Sequence, residues 1–255
     1  MKISTSKNKY LYVSIGVLII FVIWLISSFI IDNEIVLPKI DSVFIALTNL
    51  FKNIETYKII LFTLLRISIS LVLGFFIGVA LALIALINDK IYYIFSPFIK
   101  IMRALPIASI ILIILIMFGM KGFNDFSFSP ILVSILLVIP IFYEATYKGV
   151  KNIDSRLIDV AKLDTNSKLD LIRYSYIPLI RNEISISLSS SIGLSFKSMV
   201  MAEYISQANI SIGYALLYNK TWLNYDYVFS WTIILIILSV IFEIVVFYIK
   251  RKVEK

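Results

Sequence analysis

Long apolar runs alternate with short polar segments along the chain, and most of the runs are long enough to cross a membrane. A helix needs about 20 mostly apolar residues to span the hydrocarbon core. By this measure the pattern predicts one membrane domain over residues 1–255, with all-α, polytopic architecture. The six predicted spans are residues 10–31, 59–87, 104–120, 130–143, 178–202 and 227–249.

The first apolar run follows three lysines, so a secretory signal has to be considered. The run is longer than the apolar core of such a signal, and no small-residue cleavage motif follows it. It is therefore interpreted as a retained span. Two shorter segments are not expected to cross the membrane. Residues 32–57 contain a pattern typical of an amphipathic helix at the outer surface, and residues 88–105, on the inner side, are too polar to cross.

The longest polar segment, residues 144–177, lies between the fourth and fifth spans. Within it, Ile153 to Leu163 fits an amphipathic helix that places Leu157, Val160 and Ala161 on one side. Asp154 can cap its first turn by accepting a hydrogen bond from a free backbone N–H. Two interpretations stay open from the residues alone: a solvated loop helix, or a helix whose apolar face docks on a cytoplasmic partner.

Composition supports the membrane assignment, since 60% of the residues are hydrophobic and only 16% are charged. Soluble domains are nearer half apolar and a quarter charged. With both termini placed in the cytoplasm, seventeen lysines and arginines lie on the inner side and five on the outer side. This asymmetry follows the positive-inside rule. The net charge of +8 is therefore interpreted as a topological signal, and nucleic-acid binding is not expected.

The chain has no histidine and no cysteine. Serine and cysteine hydrolase chemistry that depends on histidine, and His/Cys metal sites, are therefore excluded within it. No GxxxxGK[ST] phosphate loop occurs either, so the chain is not expected to hydrolyse ATP. The sequence predicts no enzyme activity, cofactor or metal site of its own.

The predicted fifth span is rich in hydroxyl groups, with seven serines among residues 185–198. Four of them share one helical face: Ser187, Ser191, Ser195 and Ser198. They predict either close helix packing, with hydroxyls bonded to their own helix, or the lining of a solute pathway. Lys197 is more costly to bury than any serine. It either extends to the interface or faces a hydrated cavity that attracts an anionic or polar solute.

The predicted second span carries two further signals. Gly74 and Gly78, with Ala82, form a stripe of small residues at intervals of four, which predicts close approach of a neighbouring helix. Arg66 lies inside the same span, so it is expected to pair with a carboxylate or to reach the outer interface. The stripe is assigned a packing role. Arg66 is assigned a structural role, with contact to the solute as the alternative.

The long polar segment resembles the cytoplasmic loop of binding-protein-dependent ABC importer permeases, whose pattern is E-A-A-x-x-x-G-x9-I-x-L-P. Asp159-Val160-Ala161 takes the first three positions, Thr165 the glycine position and Pro178 the final proline. The stretch "EATYKG" at 144–149 matches the letters better but has the wrong spacing to the proline. Asp for Glu, Val for Ala and Thr for Gly are departures from the pattern.

Other segments, such as "LPKIDSVFIALTNL" and "FKSMVMAEYISQANISIGYALLYNK", occur in the order typical of nitrate/sulfonate/taurine-type permeases. This resemblance covers residues 35–250. The C-terminal portion is most similar to the subgroup assigned to uptake of pyrimidine precursors of thiamine. The solute is therefore left open between a sulfonate- or nitrate-like anion and such a pyrimidine.

The resemblance implies a mechanism and partners. Two copies of the permease would form the pathway, separate ATPase subunits would bind ATP and dock on the loop helix, and an external binding protein would deliver the solute. The implied location is the inner (cytoplasmic) membrane, with both termini cytoplasmic. The residues implied in ATPase coupling are Leu157, Asp159, Val160, Ala161, Leu163, Thr165 and Pro178.

Four other classes of membrane protein differ from this sequence to different degrees. The membrane component of an energy-coupling-factor transporter would show Ala-Arg-Gly-like triplets, which are absent from the sequence. An intramembrane enzyme lacks the catalytic residues. A proton-coupled secondary carrier would place carboxylates near the midplane of its spans, whereas Glu183 and Glu243 are expected near the inner ends. A secondary carrier and a non-transporting membrane scaffold remain as alternatives.

Overall fold

The computed structural model describes residues 6–118, 128–164 and 167–253, and every regular element in these ranges is helical. This confirms the all-α prediction. The elements are α1 (Ser6–Ile31), α2 (Ile40–Lys52), α3 (Ile54–Ile87), α4 (Asp89–Ala104), α5 (Ile107–Phe118), α6 (Ser129–Lys151), α7 (Ser155–Asp164), α8 (Lys168–Leu171), a π-helical segment (Ile172–Tyr176), α9 (Ile177–Leu179), α10 (Arg181–Ser206), α11 (Ile212–Thr221) and α12 (Tyr225–Val253).

Five of the described helices are long and apolar enough to cross a membrane: α1, α3, α6, α10 and α12. The helices α4 and α5 form a bent pair with an angle of 105° between them, and counting the pair as one span gives six. The chain is thus a polytopic membrane protein. The bend falls at Leu105 and Pro106, because proline lacks a backbone N–H and forces the preceding residue out of helical geometry.

Because of this bend, the helix in the predicted third span, residues 104–120, begins only at Ile107. Its described part is α5, which has 12 residues and a length of only about 18 Å. Residues 119 and 120 lie outside the described ranges. Residues 88–105, which the sequence predicts to be too polar to cross, contain the separate helix α4.

Residues 1–57 and 215–234 form one compact unit. In it, Val43 and Ala46 of α2 are buried, whereas Phe44 and Ile45 between them are exposed. Trp24 of α1 donates its indole N–H to the carbonyl of Pro38 at 3.2 Å and stacks on Phe229 with ring centroids 5.7 Å apart. The Ser230 hydroxyl donates to the Val43 carbonyl at 3.0 Å. These contacts join α1, α2 and the start of α12.

Residues 58–214 and 235–255 form the second unit, which contains the larger core. Its central element is α6, which is the most buried of the five spanning helices and packs along α10. Phe142 of α6 is fully buried and meets the ring of Phe75 edge-on, while Phe196 of α10 meets Phe242 of α12 in the same way. Four helices therefore share one apolar core around α6.

The fourth predicted span ends at residue 143, but α6 continues to Lys151. The extra turns are polar. An i,i+4 ion pair between Glu144 and Lys148 stabilises them as helix, with Nζ and Oε2 2.8 Å apart. The first eight residues of the predicted loop are therefore part of α6. The chain returns to a spanning helix at Arg181, where α10 begins.

Candidate coupling helix and transport pathway

The short helix α7 has a defined start and an exposed apolar side. The carboxylate of Asp154 accepts a hydrogen bond from the backbone N–H of Arg156 at 3.0 Å, which is the cap expected from the sequence. The Arg156 guanidinium also donates to Asp154, with Nη2 and Oδ2 2.6 Å apart. This side-chain hydrogen bond, followed by that from the backbone, lowers the pKa of Asp154 below its usual range. The cap is therefore ionised at neutral pH.

The apolar side chains of α7 have few partners in the described chain. Leu157, Val160 and Leu163 are 52%, 61% and 86% exposed, respectively. Ala161 is half-buried, and Asp159 is exposed and lies 3.7 Å from the ammonium of Lys162. Exposed leucines on an otherwise polar surface helix are costly unless a partner covers them. The predicted contact at Thr165 lies outside the described residues.

The segment that carries α7 is anchored where it leaves α6 and where it joins α10. A Cβ added at Gly149, near the end of α6, would lie 3.2 Å from the Ile180 side chain. Ile180 is buried directly before α10. Pro178, the last predicted coupling residue, is exposed in α9, which follows the π-helical segment. The segment that carries α7 therefore begins and ends beside a closely packed junction between Gly149 and Ile180.

The four serines that share a face on α10 are all buried. Ser187 donates to the carbonyl of Ile184 at 2.7 Å, and Ser198 lies 3.4 Å from the Ser134 hydroxyl of α6. The hydroxyls of Ser191 and Ser195 have no hydrogen-bond partner within the described ranges. Their burial supports the packing interpretation of this face.

Lys197 lies on a different side of α10, and this side is exposed. It shares its helical face with Asn182 and Ser190, both exposed, and with Gly193, where an added Cβ would meet no heavy atom within 4 Å. In the described part of the chain, no carboxylate lies within 4.0 Å of the Lys197 ammonium. The same face also carries Ile186, which is 67% exposed. The described residues leave this side of α10 uncovered, and its four members Asn182, Ser190, Gly193 and Lys197 are called the polar stripe below.

Arg66 is paired with a carboxylate, as one of its two predicted interpretations required. Its Nη1 lies 2.9 Å from Oε1 of Glu203, and both side chains are fully buried. Arg66 also donates to the carbonyl oxygens of Asn209 and Ile210, at 3.1 and 3.2 Å. The pair therefore ties α3 to the turn after α10, which uses left-handed backbone at Gln207 and Ile210.

Two further partners of Glu203 were not found from the sequence. The hydroxyl of Thr63 donates to Glu203 at 3.0 Å, and the backbone N–H of Gly213 donates at 3.2 Å. Thr63 lies one helical turn before Arg66, which is a spacing that could have indicated a shared partner. Nothing in the local sequence indicated Gly213, because it approaches Glu203 through the tertiary fold.

The small-residue stripe of α3 lies in close contact with α6. An added Cβ at Gly74 would lie 2.9 Å from the Val138 side chain, and at Gly78 it would lie 2.7 Å from the carbonyl oxygen of Ile139. Ala82 is fully buried. α3 and α6 can approach this closely only because these positions lack larger side chains.

The geometry defines a class of protein: a polytopic helical membrane protein with a polar surface helix held between two spanning helices. Comparison with known proteins identifies the family. The family described as "Binding-protein-dependent transport system inner membrane component" matches residues 70–255. This match covers well over half of the chain, so the chain belongs to that family.

Two relatives and one solved structure place the chain further. An ABC transporter permease protein from Haemophilus influenzae is 25% identical over 69% of this chain and 70% of its own length. The aliphatic sulfonates transport permease protein SsuC from Bacillus subtilis is 20% identical over 93% and 84%, respectively. A bacterial ABC transporter involved in import of the acidic polysaccharide alginate has the same fold, with a TM-score of 0.67, 15% identity and coverage of 98% and 97%.

The chain is therefore the transmembrane permease subunit of an ABC importer, without an ATPase site of its own. It is membrane-embedded, and the family implies the inner membrane, an ATPase and a binding protein as its context. The resemblance to ABC importer permeases predicted from the sequence is confirmed.

Proposed function

We propose that this chain couples ATP hydrolysis to import through α7, which docks by its exposed apolar side on a separate cytoplasmic ATPase subunit. The observation that carries the proposal is the exposure of Leu157, Val160 and Leu163 on a capped helix. The anchored junction of Gly149 with Ile180 supports it, because a docked partner could move α6 and α10 through that contact. Asp159, Ala161, Thr165 and Pro178 belong to the same proposed coupling region.

The coupling proposal is tested by capture of the ATPase on the purified chain. Val160→Glu places a carboxylate on the exposed apolar side of α7, and we expect it to abolish capture. Ser155→Glu is the matched control, since it adds the same carboxylate in the first turn on the polar side, where the helix dipole favours it. We expect Ser155→Glu to capture the ATPase like the wild type. Equal capture by both variants would show that α7 is not the docking helix.

We further propose that the polar stripe of α10 faces the solute pathway, which a second copy of the chain completes. Polar and charged side chains inside a membrane face water, protein or one another rather than lipid. Lys197 lies nine residues before the end of α10, about two and a half turns. That depth favours a hydrated surface over extension of the side chain to the interface. The buried serines of α10 then support the stripe from behind.

The proposed solute is a small anion of the sulfonate or nitrate class, delivered by an extracytoplasmic binding protein. Two observations support this class over the thiamine-precursor pyrimidine. The Bacillus subtilis relative is named for aliphatic sulfonates transport. Among the described residues, no carboxylate pairs with the ammonium of Lys197. The test is uptake into proteoliposomes containing the permease, its ATPase and its binding protein. We expect an alkanesulfonate to be transported and Lys197→Gln to slow it. Uptake of a pyrimidine that is insensitive to Lys197→Gln would contradict the anion assignment.

The proposed orientation places both termini, α4 and α7 on the cytoplasmic side. The support is the distribution of lysines and arginines along the chain. Protease protection of tags added at each terminus in sealed vesicles tests it directly.

A further inference from the structure

A small pocket lies between α4 and α6. Its volume is about 130 Å³, and it is lined by Tyr92, Ser96 and Lys100 of α4 and by Tyr143, Tyr147 and Lys148 of α6. The coupling proposal and the pathway proposal use none of these residues. The pocket is therefore separate from both proposed sites. Its hydroxyl and ammonium groups are suited to an anionic ligand.

The charge around the pocket is positive. Glu144 also lines it, but this carboxylate is paired with both Arg103 and Lys148. Lys100 is exposed and forms no ion pair within residues 6–118, 128–164 and 167–253. The one carboxylate at the pocket is thus fully compensated, and the ammonium of Lys100 remains available to an anion.

The pocket also offers neutral hydrogen-bond donors on a rigid aromatic wall. The rings of Tyr92 and Tyr147 stack with centroids 4.5 Å apart, and Tyr147 lies parallel to Tyr143 at 6.0 Å. Tyr143 is buried, and its hydroxyl has no hydrogen-bond partner among the described residues. A buried donor without a partner is costly, so an acceptor oxygen at this place would be stabilising.

The position of α4 indicates where the anion comes from. Ile94, Phe98 and Ile101 form an exposed apolar side of α4. Ile99 is buried on the side that packs into the core, and the exposed Lys100 lies between these two sides. Amphipathic helices of this kind lie in the interfacial plane of a membrane, with the exposed apolar side among the lipid chains. The pocket is then at the level of the lipid headgroups. Basic pockets between helices on the cytoplasmic side bind phosphate-bearing headgroups.

We propose that the α4–α6 pocket binds the phosphate group of an anionic phospholipid. Lys100 supplies the charge, Ser96 and Tyr143 supply hydroxyl donors, and the exposed apolar residues of α4 contact the acyl chains. The bound lipid would fix α4 against α6, near the end of α6 from which the coupling segment leaves. The inference does not depend on the proposed coupling or on the proposed solute.

The test uses the delipidated full chain in detergent, with phosphatidylglycerol, phosphatidylcholine or inorganic phosphate added separately. Bound lipid is counted by native mass spectrometry, and the thermal unfolding midpoint is measured alongside. We expect phosphatidylglycerol to bind and stabilise the wild type more than phosphatidylcholine does. Loss of one cation near the membrane surface should weaken phosphatidylglycerol binding by about fivefold, so we expect this of Lys100→Gln.

Lys90→Gln is the matched control, because Lys90 lies on the same helix, is exposed and does not line the pocket. It should bind phosphatidylglycerol like the wild type. Tyr143→Phe removes only the hydroxyl, so it provides a second variant that keeps the aromatic wall, and we expect weaker binding from it as well. Equal loss in Lys100→Gln and Lys90→Gln, or no preference for phosphatidylglycerol in the wild type, would overturn the proposal.

Two other outcomes would reassign the pocket. If inorganic phosphate alone stabilises the wild type and displaces phosphatidylglycerol, a free phosphate is the ligand and the lipid source is wrong. If Lys100→Gln binds phosphatidylglycerol normally but no longer captures the ATPase, the pocket belongs to a protein interface and the lipid proposal falls.

Discussion

The buried ion pair between Arg66 and Glu203 shows how single residues can hold this membrane fold together. Two charges are taken out of water, but backbone carbonyls, a backbone N–H and the Thr63 hydroxyl supply further hydrogen bonds to them. Removing one partner of such a pair leaves an uncompensated buried charge, at a cost of about 3–5 kcal/mol. We therefore expect Glu203→Gln to lower the free energy of unfolding by about that amount, measured by unfolding in a denaturing detergent.

Two variants control this prediction. The double variant Arg66→Met with Glu203→Met removes both charges, and we expect it to be more stable than Glu203→Gln. Lys197→Gln removes an exposed charge from the same helix as Glu203, and its unfolding should match the wild type. A Glu203→Gln protein as stable as the wild type would show that the pair contributes little.

Two glycines, one in close contact with a neighbouring helix and one beside open space, give a second prediction at this scale. A methyl group at Gly78 would lie 2.7 Å from a backbone carbonyl oxygen of α6, which cannot move aside alone. We expect Gly78→Ala to destabilise the protein by about 1–3 kcal/mol, as overpacking does elsewhere. Gly193→Ala should be neutral or stabilising, because it meets open space and alanine favours the helix. Thermal unfolding of the two variants measures the difference.

At the residue scale, the sequence predicts the kind of partner that a side chain needs where only one or two kinds are compatible with a membrane span. An arginine inside an apolar span needs a carboxylate, and a glycine stripe needs a neighbouring helix. The partners themselves were not predictable, because Glu203 is 137 residues away from Arg66 along the chain. For α10, periodicity grouped the serines on one face, but it carries no information on which face is buried. The serines are on the buried face, so the proposed pathway is assigned to the polar stripe that contains Lys197.

At the scale of elements, the junction between α6 and α10 gives the next prediction. Gly149 and Ile180 are in close contact at the two ends of the segment that carries α7. We expect Gly149→Val to separate these ends, so that the ATPase is still captured but solute uptake and stimulated ATP hydrolysis fall. Ile180→Ala makes room for the valine, and the double variant should recover uptake. Loss of ATPase capture in Gly149→Val would contradict a role confined to transmission.

The helices themselves were largely predictable, since each apolar run became a helix, but their ends were not. Hydropathy marks where a helix leaves lipid and does not mark where its hydrogen bonds stop. α6 therefore continues through polar residues supported by Glu144 and Lys148. At Pro106 the two boundaries coincide, because the polar segment 88–105 ends there and the helical hydrogen bonding also breaks there, with an angle of 105° between α4 and α5. The cap of α7 was predictable because a cap is a local interaction.

At the scale of the whole molecule, the proposed pathway places the polar stripe on α10 against water and a second copy of the chain. A spanning helix that exposes Asn182, Ser190 and Lys197 to lipid would be costly, and a second copy or water must cover them. The absence of cysteine from the sequence makes this directly testable, because one introduced cysteine is the only thiol in the protein. Gly193 is suited to this, since its position has open space for a side chain.

We expect Gly193→Cys to react with a membrane-impermeant, charged thiol reagent and to form a covalent dimer with a bifunctional maleimide in membranes. Both results follow if the stripes of two copies face a shared hydrated pathway. Ser195→Cys is the control, because its side chain is buried within the chain, and it should give neither product. Reaction with the charged reagent without a dimer would place water but no second copy beside the stripe. A Gly193→Cys protein that reacts only with lipid-soluble reagents would show that the stripe faces lipid, and the proposed pathway would then be wrong.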